Sequence, residues 1–216
     1  MKRISHAQTG QDILIDFILR RNGFIPRASE NYEGFYIDIG CAHPIKGSNT
    51  YFFYERGWTG LCIDANPLAE EPFKEIRPKD IFVNSGVGEE ESFLDFYIFN
   101  NPQHNTFNPG RAKRHPDALQ RVVNVKVDNL TSILSKNLPD HQEIDFLSMD
   151  IEGFELMSLR NLDLFKFRPK LIIVEALASI QNIDRSPVTK LLVDHDYQVV
   201  AHTGHDTIFL NQRTVA

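Results

Sequence analysis

An apolar strand that stops at a glycine, Ile37-Asp38-Ile39-Gly40, narrows the folds open to this chain more than any other feature. It leads through Cys41-Ala42-His43-Pro44 to Ser48-Asn49-Thr50, a good helix start, and a second short strand, Leu61-Cys62-Ile63, ends in Asp64. A strand, glycine turn and helix followed by a strand ending in an acid is how open α/β sheets hold a nucleoside. The glycine permits the tight turn, and the acid accepts hydrogen bonds from ribose hydroxyls. The plainer alternative is an ordinary strand-turn-helix unit in which Asp38 and Asp64 cap backbone or stay solvated.

The residues that are missing choose the nucleoside. A dinucleotide fingerprint has three glycines, because backbone must approach a pyrophosphate at a helix N-terminus. Only Gly40 is present, with Ala42 and Pro44 at the other two places. S-adenosylmethionine carries no phosphate and suits this loop better. The expected contacts are Gly40, Ser48, Asn49 and Thr50 around the methionine part, Asp64 at the ribose and Asn84-Ser85 near adenine, with Asp38 and Ala65 also at the cofactor.

The rest of the chain supports one doubly wound α/β domain over residues 1–216. Apolar side chains at Ile13, Leu14, Phe17 and Ile18 predict an amphipathic helix over 11–22, part of an N-terminal helical cap spanning 1–34. Strands are expected over 35–39, 60–63, 81–83, 144–149 and 170–176, with helices over 48–56, 66–76 and 130–136, after Gly153 and after Ser186-Pro187. Alternation over 92–99 and 123–127 predicts an inserted β-hairpin, and 197–201 with 207–211 a terminal antiparallel pair. Residues 100–118 hold four asparagines and three prolines without apolar periodicity, which predicts a long loop able to act as a substrate lid.

A formal charge of −6 argues against nucleic acid or anionic membrane as partners. The two cysteines, Cys41 and Cys62, fit small buried thiols in a reducing cytoplasm better than a disulfide framework. No signal peptide or membrane-spanning run is visible.

In open α/β sheets ligands bind beyond the carboxyl ends of the strands. Asp38, Asp64, Asp150 and Glu175 all fall at such ends and are expected to converge. In Ser148-Met149-Asp150-Ile151-Glu152-Gly153, Asp150 or Glu152 could bear substrate or take a proton; alternatively Asp150 caps the next helix and Glu152 sits near its dipole. Methyl transfer from sulfonium needs mainly alignment and, for a hydroxyl acceptor, one base. His43, and His104 or His115 in the long loop, are the other candidate proton acceptors, although a lone loop histidine is more often solvated than catalytic. Three carboxylates could instead ligate Mg²⁺, which is possible but not expected, and no cysteine-histidine spacing supports zinc. Arg111, Lys113 and Arg114 could meet an acidic substrate or form a solvated face.

Several stretches in order resemble the FkbM-type S-adenosylmethionine-dependent methyltransferases: Gln8-Thr9-Gly10-Gln11-Asp12, Tyr36 to Gly40 with His43-Pro44, Ser48 to Tyr51, Gly57 to Gly60 with Ile63-Asp64, Ile144 to Leu147 with Asp150 and Glu152-Gly153, and Arg168-Pro169-Lys170 before Val174-Glu175. The resemblance implies a class I methyltransferase fold, closure of Gln8, Gln11 and Asp12 over the cofactor, and methylation of hydroxyls on sugars or other small natural products. A methyltransferase acting on nucleic-acid bases is disfavoured, because Asp150-Ile151-Glu152-Gly153 stands where adenine-N6 enzymes carry an Asn/Asp-Pro-Pro-aromatic turn. The same pattern would also serve a noncatalytic binding module of this fold, or a dehydrogenase, which the missing glycines discourage.

Overall fold

The computed structural model describes residues 3–26, 32–114, 118–175 and 180–214. In chain order its strands are β1 Phe35–Ile39, β2 Thr59–Asp64, β3 Ile81–Asn84, β4 Gly86–Val87, β5 Ser92–Phe99, β6 Leu119–Asp128, β7 Phe146–Met149, β8 Leu171–Glu175, β9 Tyr197–His202 and β10 Asp206–Asn211. The α-helices are α1 Gln11–Arg21, α2 Tyr51–Tyr54, α3 Glu70–Ile76, α4 Pro109–Ala112, α5 Leu130–Asn137, α6 Glu155–Arg160 and α7 Pro187–Asp194.

Seven strands make one sheet in the order β3-β2-β1-β7-β8-β10-β9. The first five run parallel, and β10 pairs antiparallel with both β8 and β9. The apolar runs in β1, β7 and β8 have this cause: a parallel strand is covered on both faces, so it has no solvent side to fill with polar residues. One face packs Ile15 and Leu19 of α1, Phe52 and Phe53 of α2 and Phe73 of α3. The opposite face packs Ile133 and Leu134 of α5, Leu159 of α6 and Leu192 of α7. This is the doubly wound, mostly parallel arrangement expected from the alternation.

Phe146 shows what holds the first layer together. Fully buried, it lies 4.8 Å from the Phe53 ring centroid and 5.7 Å from that of Tyr36. Truncating such a ring to alanine costs about 3–5 kcal/mol, because lost burial and a residual cavity add.

The inserted hairpin is present as β5 antiparallel to β6, but β4 joins it to make a separate three-stranded sheet. Sequence periodicity could not show β4, since two residues carry no pattern. The helix expected over 48–56 is a single α-turn, α2. Ser48 Oγ still caps it by accepting from the Tyr51 amide at 3.0 Å, while the following residues tighten into three-residue turns ending at Gly57 with φ 93°. The helix after Gly153 starts only at Glu155, and the strand expected from 144 starts at Phe146. The described residues of the 100–118 segment carry secondary structure: a 3-10 turn at Pro102–His104 precedes α4, which Asn108 caps through bonds from the Gly110 and Arg111 amides. His115 lies outside the described residues. No helix among the described residues is long and apolar enough to cross a membrane.

Candidate functional site

The strand register lines up the site. Ile39 pairs with Ile63 on one side and Met149 on the other, so the next row sets Gly40 between Asp64 and Asp150. Met149 pairs with Val174 and Glu175 with Asp206, which extends that row across β8 and β10. Four carboxylates therefore share the carboxyl edge of one sheet because each ends or begins a neighbouring strand. Gly40 has φ 78°, and a Cβ there would sit 1.8 Å from the Asp150 carbonyl oxygen. No other residue lets the two loops approach so closely.

Above this edge lies a cavity of about 880 Å³. Of the residues expected to meet the cofactor, Gln8, Gln11, Asp38, Gly40, Ser48, Asn49, Asp64, Ala65 and Ser85 line it, as do His43, Asp150 and Glu152. Asp12, Thr50 and Asn84 stand behind the wall. Asp12 is fully buried and gathers the N-terminal arm, accepting from Ser5 Oγ at 2.7 Å and from the His6 amide at 2.7 Å. Thr50 donates to Asp38 Oδ2 at 2.5 Å, and Asn84 donates to the Asp64 carbonyl at 2.8 Å. These three shape the wall through residues that reach the cavity.

Asp64 is held by the Ala42 amide at 2.7 Å on one oxygen and the Asn66 amide at 2.7 Å on the other. Burial pushes its carboxyl up to about 6 against the pull of those two donors. Near it the wall turns apolar: Ala65 and Phe107 pack on the cluster of Phe96, Ile98 and Val125, and a Cβ on Gly86 would lie 2.6 Å from the Phe107 ring. Phe107 comes from the long loop, which also supplies Asn101, Asn105 and Thr106 to the cavity.

At the opposite end the cavity is acidic. Asp150, Glu152, Glu175 and Asp206 line it beside His205. Burial, reinforced by Glu175, Glu152, Asp206 and Glu155, pushes the Asp150 carboxyl up to about 7. Glu175 is raised by burial and by Glu152 and Glu155, with His205 opposing. Asp150 does not cap the following helix, whose N-terminus at Phe154 has no side-chain cap; Glu155 instead pins the turn before it, its Oε1 accepting from the Ile151 and Gly153 amides at 3.0 and 3.1 Å. Glu152 adopts φ 58° and pairs with Arg111 of the long loop at 2.8 Å. Oxygens of Asp150, Glu155 and Glu175 lie within 4.8 Å of one another, close enough to share a divalent cation.

His43 has a different task from the one its position suggests. Its Nδ1 accepts from the Ile45 and Lys46 amides, both at 3.0 Å, which fixes the neutral ring with the proton on Nε2. Burial and Lys46 lower its proton affinity further. The ring organises its own loop and has no free lone pair for base catalysis.

Sequence reading missed three contributors. Arg77, wholly buried, donates to Pro44, Ser48, Thr50 and Tyr36 behind the cavity. An Arg-Pro pair after a helix reads as an exposed stop, so nothing in the sequence marked it. His205 sits in the bend between β9 and β10 and Asp206 opens β10, and only the antiparallel insertion of β10 beside β8 brings them to the site.

The donor set suits S-adenosylmethionine: a carboxylate for the ribose diol, an apolar aromatic-lined recess for the base, a close-packed glycine turn and, among the described residues, no cluster of cations for a phosphate. A doubly wound sheet whose carboxyl edge carries such a pocket has the architecture of a nucleoside-binding protein. The sequence over residues 38–199 matches the methyltransferase FkbM domain, and the chain belongs to that family. It is an S-adenosylmethionine-dependent methyltransferase.

No match to curated proteins was found. Among solved structures the chain is similar to a TehB-like SAM-dependent methyltransferase from Corynebacterium glutamicum, with TM-score 0.45 and 11% identity over 95% of this chain and 89% of that one. It is also similar to M. capricolum TrmK in complex with S-adenosylhomocysteine (TM-score 0.42, 14% identity, 91% and 68% covered) and to Aeropyrum pernix fibrillarin with natively bound S-adenosylmethionine (TM-score 0.43, 10% identity, 91% and 72% covered).

Proposed function

We propose that the protein methylates a hydroxyl of a sugar or other small natural product, with Asp150 as the proton acceptor. The observation that carries this reading is Asp150 itself: it lines the cavity next to the Gly40 turn, and its carboxyl is pushed up to about 7. A hydroxyl must lose its proton as it is methylated, and a base poised near working pH does this best.

The donor supplies an activated methyl group on sulfonium. The chain's own residues do the rest. Asp64 orients the ribose through the oxygen lone pairs left beside its two amide donors, while Ser48 and Asn49 face the methionine end. Phe107 and Phe96 exclude water from the base recess. The Arg111–Glu152 pair ties the long loop to the turn that carries the acidic end, beside the space for a small acceptor. Glu152 has its charge engaged there and is assigned to acceptor enclosure, leaving Asp150 to hold the proton.

The test is transfer of labelled methyl from S-adenosylmethionine to a panel of sugars, nucleotide sugars and hydroxylated natural products. Labelling of a hydroxyl that falls on Asp150→Asn substitution supports the proposal. Transfer confined to amines or to RNA bases contradicts it.

A further inference from the structure

Arg77 follows α3 directly, and its side chain has no exposed surface. Its contacts divide into two groups. On the sheet side the Nε group meets Asp80 Oδ2 at 2.7 Å, and NH2 donates to the Tyr36 hydroxyl at 2.9 Å. On the cavity side NH2 also reaches Thr50 Oγ1 at 3.0 Å, while NH1 reaches the Pro44 carbonyl at 3.3 Å and Ser48 Oγ at 3.4 Å.

A buried guanidinium needs a counter-charge and satisfied donors, and Asp80 with Tyr36 would go far to meet that need. The cavity-side bonds go further. They end on residues 44–50, a stretch with no strand or helix of its own, which forms the wall facing the methionine end. Thr50 passes the link on to Asp38 Oδ2, so a second buried acid on the cavity wall shares the same cation. One planar fork thus connects β1, α3 and the loop.

Resting on the reading of this cavity as the donor pocket, we propose that Arg77 is its positioning residue. It hangs the 41–50 loop from the sheet so that Ser48 and Asn49 face the donor, and it balances the charge of Asp38 beside them. It touches neither donor nor acceptor.

The substitution Arg77→Lys keeps the charge but places all its donors on one atom, which cannot span Tyr36, Pro44 and Ser48 together. The control is Asp145→Asn, which cuts a buried ion pair to Lys170 (2.7 Å) at the opposite end of the sheet. Calorimetric affinity for S-adenosylhomocysteine, melting temperature and amide exchange over residues 42–50 are read at a temperature where each protein is folded. Arg77→Lys is expected to bind about tenfold or more weakly, as when an outer partner of a binding group is lost, with faster exchange in the loop. Asp145→Asn loses melting temperature but keeps wild-type affinity. Wild-type affinity in Arg77→Lys overturns the proposal. If that variant does not fold, Tyr36→Phe decides: weaker binding than Asp145→Asn at equal stability supports the role, and equal binding overturns it. A wild-type chain that binds neither donor nor product overturns the donor pocket itself, an outcome visible in the wild-type arm alone.

Discussion

The two ends of the cavity treat their acids in opposite ways. At the donor end each carboxylate is supplied with partners: Asp64 has two backbone amides, and Asp38 has Thr50, itself bonded to Arg77 behind the wall. At the acceptor end Asp150 and Glu175 are crowded by Glu152, Glu155 and Asp206, and among the described residues no lysine or arginine pairs with either. Donors around a partnered acid oppose the rise that burial causes, which reaches about 6 at Asp64, whereas the like charges around Asp150 add to it and carry it to about 7. Under the proposed function, the same residue type serves binding at one end and chemistry at the other.

Substitutions at the two ends should separate these roles. The largest effect belongs to Asp150→Asn: loss of the base lowers kcat by about 10²–10⁴-fold and leaves affinity for S-adenosylhomocysteine unchanged, as turnover and calorimetry would show together. In the wild type, kcat rises with pH through about 7, where Asp150 ionises, then levels off, and the variant lacks that rise. Next, Asp64→Ala weakens donor binding by the equivalent of about 1.5–3 kcal/mol, a charge-assisted hydrogen-bond loss. Equal losses of binding and turnover in both variants would break the comparison.

Stability gives a smaller effect of opposite sign. Asp150 has a folded value of about 7 against an unfolded value near 4, so the folded state holds its proton more tightly. Its contribution is present below pH about 4 and is lost as pH rises through about 7. Asp150→Asn should therefore melt higher than wild type at pH 8, by on the order of 1–3 kcal/mol in stability. The gain should shrink towards pH 4 in calorimetric scans. The smallest effect is Arg111→Ala: an exposed ion pair is worth about 0.2–1 kcal/mol, so acceptor KM should rise a few-fold with kcat little changed.

The sheet and its carboxyl-edge acids were legible in sequence because strand periodicity and turn glycines are local signals. Asp38, Gly40, Asp64 and Asp150 could be named from single stretches, and the register then set three of them side by side. Signals that depend on distant chain segments were not legible. Arg77 matters because Pro44 and Tyr36 come to it, and Asp206 because β10 inserts next to β8. Asp12 and Thr50 were placed at the cofactor by motif, yet their bonds run to the N-terminal arm and to Asp38. The His43 lone pair was legible as chemistry, but its use by two amides of its own turn was not.

A carbon-13 NMR titration of the Asp150 carboxyl, assigned by its absence in Asp150→Asn, tests the contrast between the two ends most directly. A midpoint near 7 is the result expected from a crowded acid left free to exchange its proton. A midpoint near 4, the ordinary carboxylate value, would contradict it and remove Asp150 as the base.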